Sequence, residues 1–247
     1  MTRCTGSPRN VTPVKLLCDV FISVAIMSCW MLASQGAPME ILRIAELLEP
    51  FAPGLPPALL EQVSAYLDLL LRWNSRTNLS AVRDSGQIVA RHFGESLFAA
   101  RALLGGDHDS TLGLADVGSG AGFPGIPLKL FAPRCKLTLI ESQNKKATFL
   151  REVIRTLGLT EAEVFYGRAE QWDQTADLVT LRAVERFERA LAVSEGLVVP
   201  GGRLALLIAT NQLASVHAHT SGRFAWEEPH PIPDSGHRVL LVGKSTA

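Results

Sequence analysis

Four glycines fall within eight residues at Gly118-Ser119-Gly120-Ala121-Gly122-Phe123-Pro124-Gly125, between an apolar run at Leu112–Val117 and a helical pattern at Ile126–Phe131. A strand that must turn sharply into a helix uses glycine because the missing Cβ permits left-handed backbone and close approach of another group. From Thr111 onward the same grammar repeats. Apolar runs at Leu112–Val117, Lys136–Ile140, Glu163–Tyr166, Leu178–Leu181, Arg203–Ala209 and Arg238–Val242 read as strands. Helical patterns at Ile126–Phe131, Lys145–Leu157 and Arg186–Val198 separate them. Alternation of this kind predicts an α/β fold: a largely parallel, Rossmann-like sheet with helices on both faces.

The preceding region reads differently. Ile41, Ile44, Ala45, Leu47 and Leu48 recur at helical spacing, and Pro50, Pro53, Gly54, Pro56 and Pro57 interrupt it. Leu59, Leu60, Val63, Tyr66, Leu67, Leu70 and Leu71 then form a second amphipathic stripe. A loop around Trp73–Ser80, a third helix near Gln87–Leu104 and a linker at Gly105, Gly106, Asp107 and Asp109 complete an expected N-terminal helical cap over residues 39–110. Residues 111–247 form the expected ligand-binding domain. Residues 1–38 fit neither pattern. Val20–Leu32 is 13 uncharged, largely apolar residues, shorter than the roughly 20 a membrane-spanning helix needs. It matches the apolar stretch of an export signal, but the favoured reading is an extension upstream of a natural start at Met39.

The 247-residue chain has 47% hydrophobic and 19% charged residues and no net charge. That composition excludes a disordered or collagenous chain, and whole-molecule charge does not single out a nucleic-acid partner. Basic residues nevertheless cluster at Arg72, Arg76, Arg83, Arg91 and Arg101, and again at Lys145, Lys146, Arg151 and Arg155. The four cysteines include no CxxC pair, and the six histidines show no ligand spacing. No structural metal or disulfide framework is expected, and a reducing compartment is the default.

The glycine turn leaves two ligand classes open. Gly120-x-Gly122-x-x-Gly125 matches the dinucleotide fingerprint, which keeps an NAD(P)-dependent oxidoreductase with a Rossmann domain as a rival. Glu141, 23 residues after Gly118 at the end of the second strand, suits the ribose hydroxyls of either ligand. Asp116, immediately before the turn, favours the amino group of a methionine moiety over a pyrophosphate. Its alternative role is as a cap on the turn itself.

Several blocks in order resemble the ribosomal RNA small-subunit methyltransferase G family, also called glucose-inhibited division protein B. They are Arg72-Trp73-Asn74, Asn78 to Asp84, Arg91-His92, Asp116 to Pro127, Leu139 to Ser142, Lys145 to Arg151, Gly167 to Glu170 and Leu181-Arg182-Ala183. The resemblance implies a class I fold dependent on S-adenosyl-L-methionine, acting on N7 of one guanine in the decoding-region loop of 16S rRNA. By the same resemblance Gly118 and Phe123 line the methionine end, Gly120 belongs to the cofactor site, Glu141 takes the ribose, Ala169 and Glu170 flank the adenine, and Arg182 completes the pocket. Asp116 joins this set. Arg72, Arg83, Arg91, Lys145 and Lys146 are the expected RNA contacts, with the small ribosomal subunit as partner. A cytoplasmic monomer without a stable membrane partner is expected.

Guanine N7 carries a lone pair and no proton, so transfer to it needs placement rather than a general base. The residues agree: Thr180-Leu181-Arg182-Ala183 lacks the Pro-Pro motif of amino-group methyltransferases, and Cys135 is out of place for a nucleophile. His92 and Arg182 are the only catalytic candidates, and weak ones. Two departures stand out: Leu207-Ile208-Ala209-Thr210 lacks the family's lysine after the fifth strand, and Glu95 replaces an aspartate. The missing lysine keeps open a cofactor-binding protein without catalysis.

Overall fold

The computed structural model describes residues 39–105, 111–184, 186–220 and 222–246. The expectations for residues 1–38 and for Gly106–Asp109 lie outside them.

Three N-terminal helical segments come first: α1 (Ile41–Leu48), α2 (Pro57–Asn74), and α3 (Ser85–Ile88) running through a π-helical turn (Val89–Gly94) into α4 (Glu95–Leu104). Pro57 starts α2 where a missing N–H costs nothing. The Asp84 carboxylate accepts from Gln87 N at 2.8 Å to open α3. Gly105, left-handed at φ 59°, closes α4. The single helix expected near Gln87–Leu104 is thus interrupted by a wider turn. Such turns add a residue per coil and re-aim side chains; here His92 and Phe93 lie in it.

The α/β region runs β1 (Gly113–Val117), α5 (Gly125–Phe131), β2 (Lys136–Glu141), α6 (Asn144–Thr156), β3 (Ala162–Tyr166), β4 (Ala176–Arg182), α7 (Phe187–Gly196), β5 (Val198–Ala209), α8 (Leu213–His219), β6 (Phe224–Trp226), β7 (His230–Pro231) and β8 (Arg238–Ser245). The sheet order is β3-β2-β1-β4-β5-β8-β6, with β7 paired to β8. Strands β1 to β5 are parallel, and β8 runs antiparallel between β5 and β6.

Period-two alternation divides the core. Leu114, Leu139, Leu178, Ala205, Leu207 and Leu240 face a cluster built with α1, α2, α4, α5 and α6. Ala115, Val117, Ile140, Val179, Leu181, Leu204 and Leu241 face the other, closed by Phe187, Leu191 and Val216. The N-terminal helices therefore form one layer of the sheet's own core. The topological switch between β1 and β4 opens a crevice beyond the carboxyl ends of the strands, where open α/β sheets take ligands.

Candidate active site

The glycine turn is folded onto itself. Gly118 N and Ser119 N donate to Ile140 O at 2.9 and 3.1 Å, and Gly122 N donates to Ser119 O at 2.7 Å. Gly120 N donates to Glu141 Oε2 at 2.9 Å, and Gly125 N to Asp116 Oδ2 at 3.3 Å. At two positions both the backbone and the space require glycine. Gly118 has φ 68°, and a Cβ there would meet Val184 Cγ1 at 2.8 Å. Gly122 has φ 86°, and its Cβ would collide with the Tyr66 hydroxyl and Ile126 Cδ1.

A cleft of about 410 Å³ opens in front of this turn. Gly118, Glu141, Ser142, Gln143 and Lys146 form one wall, and Arg168, Ala169, Glu170, Val184, Arg186 and Arg189 face them. Glu141 ends β2 with its carboxylate buried. It accepts from Gly120 N and from Gln143 N at 2.7 Å, which leaves acceptor capacity on both oxygens. Glu170 accepts from Arg189 Nε and Nη2 at 2.9 and 2.7 Å. A backbone hydrogen bond and then Arg189 hold its carboxyl below the usual range.

The residues expected at the site separate into two groups. Gly118, Glu141, Ala169 and Glu170 line the cleft, and Gly120 shapes it through Glu141. Asp116, Phe123, Arg182 and His92 lie behind or beside the turn instead. Asp116 is 1% exposed, so its carboxylate does not face the cleft as the sequence reading placed it. It accepts from Thr180 Oγ1 at 2.7 Å and from Gly125 N. Burial raises its carboxyl to about 6, against the lowering influence of Thr180, Ser119, Gly125 and Arg182. Its alternation with Leu114 points it at the helical layer. Phe123 does not line the cleft either: it packs between Tyr66 (stacked, 5.4 Å), Phe93 (edge-on, 5.0 Å) and His92 (5.1 Å).

Arg182 is turned toward the helices. Its Nη2 donates to Glu95 Oε2 at 2.8 Å and Arg91 O at 2.7 Å, and lies 3.2 Å from His92 Nδ1. Arg238 Nε sits 3.1 Å from the same Glu95 oxygen, an ion pair angled away from a hydrogen bond. An arginine only donates, so His92 Nδ1 is the acceptor and Nε2–H donates to Ser80 Oγ at 2.8 Å. Burial first, then Arg182, Arg91 and Arg238, lowers the imidazole to about 3. His92 is therefore a neutral, doubly bonded ring.

Of the expected RNA contacts, Arg72, Arg91 and Lys145 are exposed, whereas Lys146 lines the cleft. Arg83 is exposed but engaged with Asn74 O and Asn78 Oδ1 at 2.9 and 3.0 Å. Sequence reasoning missed Arg186 and Arg189 on the cleft's far wall, where no motif marks them, and gave no role to Arg168 within the Gly167–Glu170 block. It also missed the role of Tyr66, a buried phenol in an apolar stripe and hence a group in need of a partner.

The glycine turn answers the choice between ligand classes. A dinucleotide turn offers its amides to pyrophosphate, and here five of them are already bonded within the protein. The dinucleotide fold also continues with a parallel sixth strand, where this sheet inserts the antiparallel β8. Sheet and turn together define a class I methyltransferase fold. Its solved likenesses include the ribosomal protein L11 methylase from Lactobacillus delbrueckii subsp. bulgaricus (TM-score 0.53, 13% identity, covering 64% of this chain and 80% of that one). TrmN from Thermus thermophilus is similar at TM-score 0.51 and 19% identity, covering 64% and 53%.

The family model for rRNA small subunit methyltransferase G matches residues 59–227. A ribosomal RNA small subunit methyltransferase G of Xylella fastidiosa (strain M23) is 41% identical over 177 residues, 72% of this chain and 78% of the relative. Its namesake from Xanthomonas euvesicatoria pv. vesicatoria is 38% identical over 196 residues, 77% and 89%. The chain belongs to the rRNA small subunit methyltransferase G family.

Proposed function

We propose that this protein uses S-adenosylmethionine to methylate N7 of a guanine in 16S rRNA. The observation that carries the reading is the pairing of a self-bonded glycine turn with Glu141. The turn presents almost side-chain-free backbone to the cleft, and Glu141 keeps free lone pairs at its edge. That donor set fits a nucleoside ribose: two adjacent hydroxyls can donate to one carboxylate. Gly118 leaves room for the methionine end, and Ala169 and Glu170 face where the adenine would rest.

When bound, S-adenosylmethionine supplies an electrophilic methyl group. The protein's own share is placement. The acceptor nitrogen has a lone pair and nothing to deprotonate, in keeping with a His92 that is neutral and bonded at both nitrogens. Exposed Arg72, Arg91 and Lys145 are suited to rRNA phosphates, through contacts that weaken with salt. Helices α1 to α4 serve as the RNA-facing layer of a monomer working in the cytoplasm on the small subunit.

The test is methyl transfer from labelled S-adenosylmethionine to 30S subunits lacking the modification, followed by mapping of the methylated base. Labelled 7-methylguanine at one position supports the reading; label on another atom, or on protein, refutes it. A second reading rests on the missing lysine after β5, where Ala209 and Thr210 stand. A chain that binds S-adenosylhomocysteine but transfers nothing to 30S subunits is a binding protein instead.

A further inference from the structure

Tyr66 sits in the middle of α2 and lines no part of the cleft, yet it touches the glycine turn on three sides. Its hydroxyl donates to the backbone carbonyl of Ala121. Its ring stacks on Phe123 at 5.4 Å with planes 9° apart. The space a Cβ on Gly122 would need is filled by the Tyr66 oxygen. Phe93 closes the group edge-on, 5.1 Å from Tyr66 and 5.0 Å from Phe123.

Apart from the internal bond from Gly122 N to Ser119 O, the turn's other bonds come from the sheet: Ile140, Glu141 and Asp116. Tyr66 therefore supplies the hydrogen bond by which the helical layer reaches the segment between Gly120 and Gly122. The turn must hold left-handed backbone at three alternate positions, Gly118, Gly120 and Gly122, and a peptide of such freedom stays in one conformation only if something outside fixes it. The phenol is suited to that task. Burial first, and the neighbouring Asp116 second, raise it well above the ordinary tyrosine range, so it remains a donor throughout the physiological range.

We infer that Tyr66 is a positioning residue for cofactor binding: its bond to Ala121 O holds the glycine turn in the shape the cleft needs. The inference rests on the reading that this cleft takes S-adenosylmethionine. It makes cofactor affinity depend on a helix outside the ligand site.

Tyr66→Phe keeps both ring contacts and removes one oxygen. Trp73→Phe is the control. It removes a bond from the same helix, Trp73 Nε1 to Glu152 at 3.0 Å, and keeps an aromatic ring against Phe149. Calorimetric titration with S-adenosylhomocysteine is expected to show affinity roughly three- to tenfold weaker for Tyr66→Phe, the loss of one buried hydrogen bond. Trp73→Phe is expected to bind like the unaltered protein. At saturating S-adenosylmethionine, kcat for Tyr66→Phe stays within about twofold, because the added cofactor restores the turn. Phe123→Leu loosens the same contact from the turn's side and raises Kd in the same direction, which keeps the idea testable if Tyr66→Phe does not fold. Equal affinity in Tyr66→Phe, in Phe123→Leu if Tyr66→Phe does not fold, or an equal loss in Trp73→Phe, overturns the inference. Absence of binding by the unaltered protein overturns the reading of the cleft itself, and this inference with it.

Discussion

Asp116 makes stability depend on pH in an unusual direction. Its carboxyl rises from 3.8 in the free side chain to about 6 in the fold, with burial as the main cause. A raised carboxyl binds its proton more tightly when folded, so its contribution to stability is present at low pH and lost as pH climbs through 6. At about 1.36 kcal/mol per pH unit the full rise corresponds to about 3 kcal/mol. Integrated over the experimentally convenient window, about 2 kcal/mol of it falls between pH 4.5 and 7.5. Other carboxylates titrate in the same window, so the measurement is a difference. Asp116→Asn cannot ionise and keeps one acceptor oxygen, for either Thr180 or Gly125 N. Urea unfolding of both proteins at pH 4.5, 5.5, 6.5 and 7.5 gives two stability curves. The parent is expected to lose about 2 kcal/mol relative to the variant across that range, whatever their offset. Parallel curves within about 0.5 kcal/mol would show that the bonds from Thr180 and Gly125 N already compensate the burial, and the argument fails.

Three further outcomes are expected. Glu141→Ala weakens S-adenosylhomocysteine binding by about 1–3 kcal/mol, and Glu141→Gln by less, because the amide keeps one acceptor; calorimetry reads both, and unchanged affinity removes Glu141 from the ribose position. Glu95→Gln leaves Arg182 and Arg238 without their shared carboxylate, at side-chain exposures of 7% and 17%, and lowers unfolding free energy by about 3–5 kcal/mol; denaturant midpoints check it. Lys145→Ala reduces activity on 30S subunits and flattens its salt dependence by roughly 0.7–0.9 log units without changing cofactor affinity. Lys146→Ala, in the cleft wall, alters both.

Strands were legible where both faces are buried, because parallel strands then carry continuous apolar runs. Lys136–Ile140 was expected and Lys136–Glu141 forms. The short edge pieces β6 and β7, three and two residues long, left no such run. The π turn at Val89–Gly94 escaped because its composition is that of any helix. The site was half legible. A carboxylate at the end of β2 and glycines at the end of β1 have fixed places in this topology, so Glu141 and Gly118 fell on the cleft. Which way a ring leaves a turn has no sequence signature, and Phe123 points backward into Tyr66 and Phe93. Asp116 was readable in principle: period two places it on the Leu114 face, toward the helices. Its acidic character drew the reading toward the ligand instead.

The division between front and rear of the turn accounts for why few residues here look catalytic. The proposed transfer, to a ring nitrogen with a free lone pair, asks for alignment, and alignment is a property of backbone shape. Accordingly the polar side chains nearest the turn are engaged with main chain: Glu141 with Gly120 and Gln143, Asp116 with Gly125, Tyr66 with Ala121, Ser119 with the Asp116 carbonyl. The largely buried cation Arg182 and the half-buried Arg238 converge on Glu95, and Arg182 also ties His92 and Arg91 O to the end of β4. That second network joins the strand edge to α4 and to the π turn carrying Arg91. On the proposed function, a substitution at either network acts through geometry on cofactor or RNA, and sorting the two requires separate binding measurements, since turnover alone would fall in both.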